Sequence, residues 1–187
     1  MSNNKPKILN KKIEYSNDYM TLVSEDLLFE QKINGEIKSL RKDYYSIECP
    51  DFVTCIVIKD DKLLVVEQYR HPVNSINTEF VAGMIDPGDT PQEATIKELK
   101  EEAGIVPKSL IFLGKCHPVS GQNKNTCYVY LVNDFVETEP LLEEYESFTN
   151  LTHNWIPISD FKKMIKTNEL DDGVTLMAWC LFLENQS

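Results

Sequence analysis

Three glutamates with helical spacing, Glu98, Glu101 and Glu102, are the residues of this chain best suited to chemistry. At positions i, i+3 and i+4 their carboxylates share one face of a helix, where like charges repel each other. A hard divalent cation such as Mg²⁺ accepts oxygen ligands of this kind and relieves the repulsion. The alternative is an ordinary solvated acidic face, softened by Lys97 and Lys100, and the three glutamates alone leave both interpretations open.

The helix that would position these glutamates has recognisable ends. Thr90 is a favourable N-cap, Pro91 suits the first helical position, and Glu93 completes a capping box. Gly104 stands where a left-handed residue ends many helices. We therefore predict a helix between these caps, preceded by a loop that Gly83 and two later turn residues interrupt.

The stretch from residue 83 to residue 105 resembles the signature box of the Nudix hydrolase family, G-x5-E-x7-R-E-U-x-E-E-x-G-U, where U is aliphatic. The positions in register are Gly83, Glu98, Leu99, Glu101, Glu102, Gly104 and Ile105. Asp89 replaces the first glutamate of the box, and Lys97 replaces its arginine. In the family those two residues form a supporting ion pair, so we expect Asp89 and Lys97 to pair in their place.

The resemblance implies a set of site residues. Glu98, Glu101 and Glu102 are expected as catalytic residues and metal ligands, and the main-chain carbonyl of Ala82 as a further ligand. Gly83 is expected to contact the substrate. The implied cofactor is Mg²⁺, with Mn²⁺ as an alternative, because such a cation neutralises phosphate oxygens and activates a water molecule.

Arg70 ends a predicted strand and carries a planar fork that suits a phosphate group. A surface arginine paired with a carboxylate is the alternative interpretation. The motif Gln68-Tyr69-Arg70, followed by Glu79-Phe80-Val81-Ala82-Gly83, is similar to the ADP-ribose pyrophosphatase branch of the family. In that branch the arginine contacts the substrate diphosphate, so the resemblance implies this role for Arg70.

An acidic segment follows between residues 137 and 146, where half of the positions are glutamates. It is either a mobile acidic loop that self-repulsion keeps soluble or, as in the branch, a lid that brings a further carboxylate to the metals. Thr149 stands near the position of the branch's catalytic glutamate, and Glu146 is the nearest carboxylate and a candidate for its role. Asn123 also replaces a glutamate of the branch, so the substrate stays open.

The pattern of elements predicts an α+β fold that resembles the Nudix α/β/α sandwich with a mixed sheet. After a frayed start of about 14 residues, an Asn34-Gly35 hairpin predicts a small N-terminal antiparallel sheet. We assign residues 1–48 to this extension, as a candidate dimer contact, and residues 49–187 to the Nudix hydrolase domain. Of the two C-terminal helices, the first is predicted to begin with Ser159 as its cap.

Composition narrows the function classes. The net charge of −11 over 187 residues argues against a general nucleic-acid binder. No apolar run reaches membrane-spanning length, so no membrane partner is expected. The five cysteines are scattered, which favours reduced thiols in a cytoplasmic protein.

We therefore expect Mg²⁺-dependent hydrolysis of the diphosphate bond of a nucleoside diphosphate sugar, with ADP-ribose giving AMP and ribose 5-phosphate as the preferred assignment. Another sugar nucleotide, such as GDP-mannose, or a dinucleotide is the alternative within this class. A degenerate Nudix domain that binds nucleotides without turnover is the alternative from another class. The resemblance also implies a homodimer built through the N-terminal sheet.

Overall fold

The structure is a computed structural model that describes residues 5–142 and 144–186, without the side chains of Tyr145 and Glu146. It consists of two compact units. The N-terminal unit contains Met1–Pro50 together with Val119–Asn125, and the main unit contains Asp51–Pro118 and Thr126–Ser187. The division shows a feature that the sequence did not indicate, because a short segment from the middle of the chain joins the N-terminal unit.

The N-terminal unit is an antiparallel sheet with the order β1-β2-β3. Its strands are β1 (Lys7–Ser16), β2 (Thr21–Ile33) and β3 (Glu36–Glu48). The predicted small sheet and its hairpin are confirmed, since Asn34 and Gly35 have φ values of 52° and 87°. Positive φ at both central residues is what a two-residue turn between twisted strands requires.

The predicted frayed start is wrong from Lys7 onward. β1 pairs with β2 along its whole length, from Lys7 opposite Leu28 to Ser16 opposite Thr21. The prediction failed because a polar composition is compatible with an exposed strand as well as with a disordered start. In the strand, the charged side chains form cross-strand ion pairs such as the 2.5 Å contact between Lys7 and Glu30.

Residues 119–125 are attached to β3 by main-chain hydrogen bonds. Ile47 N donates to Gln122 O at 2.9 Å, and Lys124 N donates to Ile47 O at 2.8 Å. The Lys124 ammonium lies 3.1 Å from a Glu48 oxygen and 3.4 Å from a Glu25 oxygen. Lys124 is therefore an ion-paired residue of the N-terminal unit.

The main unit is built on a mixed sheet with the order β12-β5-β4-β10-β9, in which β6 pairs with β5 and β7 with β4. β10 runs parallel to β4, and the other neighbours are antiparallel. A short pair, β8 with β11, lies apart from this sheet. The strands are β4 (Phe52–Lys59), β5 (Lys62–Arg70), β6 (Ser75–Glu79), β7 (Val81–Met84), β8 (Ile105–Pro107), β9 (Ile111–Cys116), β10 (Cys127–Val132), β11 (Phe135–Glu137) and β12 (Thr152–Pro157).

Helices cover both faces of this sheet, so the predicted sandwich is confirmed. They are α1 (Pro91–Ala103), α2 (Glu144–Phe148), α3 (Ile158–Thr167) and α4 (Gly173–Glu184). Val66 shares an apolar cluster with Leu99 of α1, whereas Val65 shares the opposite cluster with Phe161 of α3. Among the described residues, no helix combines the length and the apolar character needed to cross a membrane.

The first C-terminal helix does not begin as predicted. α3 begins at Ile158 after Pro157 and has no side-chain cap, so the predicted Ser159 cap is wrong. Asn168 ends α3 in the left-handed conformation, and Asp172 caps α4 by accepting a 2.7 Å hydrogen bond from Thr175 N.

Gly104→Ala tests the end of α1. Gly104 has φ of 63°, and a Cβ there would clash with the Thr138 carbonyl. We expect a loss of about 2 kcal/mol or more in the free energy of unfolding, measured by urea denaturation, because left-handed strain adds to the clash. Gly173→Ala, where a Cβ meets open space, should change this free energy by less than about 0.5 kcal/mol. Equal effects of the two substitutions would contradict the assignment.

Candidate active site

The helix that carries the three glutamates is fixed at its N-terminus by the predicted capping box. Thr90 Oγ1 accepts a 3.3 Å hydrogen bond from Glu93 N, and the Glu93 carboxylate accepts a 2.8 Å hydrogen bond from Thr90 N. Pro91 is the first helical residue and Gly104 ends the helix, as predicted. Both ends of α1 are thus satisfied, which fixes the direction in which its side chains project.

The glutamates of α1 line a partly buried face next to β7. The Glu102 residue is only 5% exposed, whereas Glu98 and Glu101 are half-buried. The Glu98 carboxylate lies against Gly83, where any side chain would clash with it. Gly83 was expected in a loop but belongs to β7, in register with Val53 of β4. The sheet therefore holds the main chain of residues 82 and 83 beside Glu98.

Arg70, at the end of β5, pairs with a glutamate that sequence reasoning had not assigned. Its Nε donates to Glu79 Oε1 at 2.8 Å, and its Nη2 donates to Glu79 Oε2 at 2.5 Å. This hydrogen bonding is the main cause that raises the pKa of Arg70, and the carboxylates of Glu102 and Asp172 also raise it, while burial lowers it. Arg70 is thus a paired arginine within electrostatic reach of Glu102.

The ion pair expected between Asp89 and Lys97 is wrong. The Lys97 ammonium instead lies 2.7 Å from Asp86 Oδ2. A turn closed by the 3.0 Å hydrogen bond from Asp89 N to Asp86 O brings Asp86 into reach, three residues before the expected partner. The pKa of Lys97 is raised chiefly by Asp86, with further contributions from the charges of Glu101 and Glu98. Lys97 therefore softens the repulsion along the acidic face of α1.

The donor chemistry of this face fits a hard divalent cation. Within residues 5–142 and 144–186, no three His, Cys, Asp or Glu side chains gather into a ready metal cage. Mg²⁺ does not require one, because proteins usually hold it through one or two carboxylates together with waters and substrate phosphates. The Glu98 carboxylate, which lies against the main chain at Gly83, and the nearly buried Glu102 are donors of that chemical kind.

The first part of the acidic segment is tied to the C-terminal end of α1. Thr138 N donates to Gly104 O at 2.6 Å, and Leu141 N donates to Glu101 O at 3.0 Å. The sequence did not indicate this attachment, because main-chain hydrogen bonds leave no side-chain pattern. The side chain of Glu146, the candidate catalytic base in α2, lies outside the described part of the chain.

A cavity of about 230 Å³ lies on the opposite face of β5. Side chains alternate along a strand, and Val66 and Val65 belong to the clusters on the two faces, so Arg70 projects on the α1 side and Tyr69 away from it. The cavity is therefore distinct from the face that carries Arg70. It is lined by Glu67, Tyr69, Ile76, Thr149, Asn150 and Thr152.

Comparison with known proteins gives consistent matches. The NUDIX domain family model matches residues 50–178. The ADP compounds hydrolase NudE of Escherichia coli (strain K12) is 32% identical over 111 residues, covering 59% of this chain and 57% of that protein. The ADP-ribose pyrophosphatase of Bacillus subtilis (strain 168) is 24% identical over 134 residues, or 71% of each chain. The chain thus spans little more than half the length of the first of these relatives.

A solved structure matches nearly the whole chain. The crystal structure of an ADP compounds hydrolase superposes with a TM-score of 0.82 at 26% sequence identity. The match covers 98% of this chain and 95% of that chain. The similarity therefore includes the N-terminal sheet as well as the sandwich.

Gly83→Ala tests the contact between β7 and Glu98. Because the clashing atoms form the end of a flexible side chain, we expect Glu98 to swing away and the unfolding free energy to change by less than about 1 kcal/mol. Mn²⁺ affinity, measured by isothermal calorimetry, should fall by about tenfold or more. Gly121→Ala, where a Cβ meets nothing within 4 Å, is the control. Unchanged Mn²⁺ affinity in Gly83→Ala would contradict the site.

Proposed function

Because the chain belongs to the Nudix family, we propose that it is a Mg²⁺-dependent hydrolase of the diphosphate bond of a nucleoside diphosphate sugar, with ADP-ribose as the preferred substrate. One observation carries the proposal: Arg70 projects on the side of β5 that faces α1, the acidic helix whose Glu98 carboxylate lies against the main chain of β7. The names of the relatives, which refer to ADP compounds and ADP-ribose, support the choice of substrate.

The reaction adds one water molecule across the diphosphate bond. A water oxygen bonds to one phosphorus, the bridging P–O bond breaks, and ADP-ribose gives AMP and ribose 5-phosphate with release of a proton. A diphosphate is anionic and repels nucleophiles, so the site has to offset its charge. When bound, the divalent cation would neutralise phosphate oxygens and lower the pKa of a water molecule.

The residues of the chain divide this work. Glu98 and Glu102, with the Ala82 carbonyl, would hold the cation, and Glu101 would contribute directly or through water. Arg70 binds the diphosphate and fixes its orientation. Gly83 keeps the main chain close enough for Glu98 and the substrate to meet there.

Support for the acidic face comes from Lys97. Its ion pair with Asp86 takes the place of the family's bidentate glutamate–arginine pair, and Asp89 contributes through its main-chain N–H. Glu146, carried by the acidic segment, remains the candidate for the catalytic base. The five cysteines are free thiols, which is consistent with a reducing cytoplasm.

Glu102→Gln tests the metal assignment. With Mg²⁺ and ADP-ribose, we expect kcat/KM to fall by about 100-fold or more, because an uncharged amide cannot replace a carboxylate ligand. AMP release, followed by chromatography, measures the rate. Glu169→Gln, an exposed position on the loop after α3, is the matched control and should retain wild-type activity. An unaffected rate in Glu102→Gln would remove Glu102 from the site.

A substrate panel separates the alternatives within the proposal. ADP-ribose, GDP-mannose and a dinucleotide are compared at equal concentration with Mg²⁺, and calorimetry measures binding of each. Hydrolysis with the highest kcat/KM for ADP-ribose supports the proposed substrate. Binding without turnover of any of them, by folded protein, supports the degenerate binding domain instead.

We also propose that the protein is a homodimer joined through the N-terminal sheet. This unit exposes several large apolar side chains, more than a solvated sheet needs. Two of them, Ile8 and Ile13, lie in register with Leu27 and Val23. The exposed side chains include Ile8, Ile13, Tyr15, Ile37 and Leu40.

Sedimentation velocity tests the dimer. We expect a species of twice the 21.5 kDa chain mass, and a shift to monomer when Ile13→Lys and Leu40→Lys are combined, since buried charges disfavour an apolar interface. Ile76→Lys, equally exposed but in the main unit, should stay dimeric. A monomeric wild-type protein would overturn this proposal.

A further inference from the structure

The β5–β6 hairpin places a buried carboxylate beneath Arg70. Glu79, the last residue of β6, is in register with Val66, four residues before Arg70 on β5. Val66 and Arg70 project from the same face of β5, because side chains alternate along a strand. The Arg70 side chain therefore has to extend back along the strand to reach Glu79.

The contact uses one particular edge of the guanidinium. Nε and Nη2 of Arg70 donate to the two carboxylate oxygens of Glu79 at 2.8 and 2.5 Å. A guanidinium has five N–H donors in a rigid fork. With the side-on edge on Glu79, the end-on edge, formed by Nη1 and the second hydrogen of Nη2, points away from the carboxylate.

The exposure of the two side chains agrees with a guanidinium that has one edge on Glu79 and the other edge free for a ligand. The Glu79 side chain is 7% exposed, whereas the Arg70 side chain is 42% exposed. Burying a carboxylate costs free energy that a bidentate partner offsets without a large net gain, so such a pair contributes little to stability. What it provides is a fixed orientation, because a long side chain loses its rotamer freedom before any ligand binds.

We propose that Glu79 is the positioning residue of Arg70 and directs its end-on edge at one phosphate of the diphosphate substrate. This inference rests on the proposed function. A phosphate accepts two parallel N–H donors from such an edge, which fixes orientation as well as affinity. Since Arg70 projects on the α1 side of β5, Glu79 holds the diphosphate-binding group on the same side of the sheet as the proposed metal ligands of α1.

Glu79→Gln tests the role, because the amide keeps the shape and loses the charge and one acceptor. We expect kcat/KM for ADP-ribose to fall by about tenfold to 100-fold, mainly through KM. Glu79→Asp, which keeps the charge on a shorter side chain, should recover part of the loss. Asp134→Asn, which removes the exposed ion pair with Lys108, is the matched control and should leave kcat/KM unchanged.

A double-mutant cycle with Arg70→Met separates positioning from a structural role. If Glu79 acts through Arg70, Glu79→Gln has no further effect on kcat/KM in the Arg70→Met background. Removing both charges together also avoids leaving one buried and unpaired. Wild-type kcat/KM in folded Glu79→Gln, or an equal loss in both backgrounds, overturns the inference.

Measurements of ADP-ribose binding distinguish failure of the proposed function from failure of the positioning role of Glu79. If the wild-type protein hydrolyses no nucleotide sugar, the proposed function fails, and calorimetry with ADP-ribose then tests Glu79 directly. Weaker binding by Glu79→Gln but not by Asp134→Asn supports the positioning role without turnover. Equal binding by both variants, or no binding by the wild-type protein, overturns it.

Discussion

The contact between the Glu98 carboxylate and the main chain of β7 at Gly83 is the constraint on which the site depends. Only a residue without a side chain leaves room for the carboxylate there. The contact places the Glu98 carboxylate against the strand, on the face of α1 that also carries Glu101 and Glu102. The capping box at one end and the left-handed Gly104 at the other keep the helix from fraying away from this position.

Charge balance explains the residues around that face. Carboxylates at helical spacing repel each other, and the net charge of −11 adds to the local field. Lys97, paired with Asp86, and Arg70, paired with Glu79, bring positive charge close to this face. The acidic partners, Asp86 and Glu79, lie outside α1. The ion pairs of the two cations therefore do not involve the glutamates that are proposed to bind metal.

Much of this arrangement could be predicted from the sequence because it is local. The capping box of α1 and the hairpin at Asn34 both depend on residues within four positions of one another. The partners of Arg70 and Lys97 could not be predicted in this way. Glu79 reaches Arg70 only through the register of β5 and β6, and Asp86 replaces Asp89 only because a turn brings it closer.

The strand at Lys7 and the attachment of residues 119–125 were missed for the same reason. Each is made by main-chain hydrogen bonds to a partner far along the chain, which leave no mark on composition or spacing. The Nudix family could be recognised from the sequence because its signature is a continuous stretch, made of one helix and the residues directly before it. The N-terminal sheet lies outside the motif, and it was predicted from its Asn34-Gly35 hairpin.

The central claim is that the carboxylates of α1 and Arg70 act together on one diphosphate. Mn²⁺ titration by electron paramagnetic resonance, with and without a non-hydrolysable α,β-methylene analogue of ADP-ribose, tests it most directly. Because the diphosphate would complete the ligand set of the cation, we predict that the analogue raises Mn²⁺ affinity by about tenfold or more, and that Arg70→Met reduces this gain. Equal Mn²⁺ affinity with and without the analogue would contradict the account.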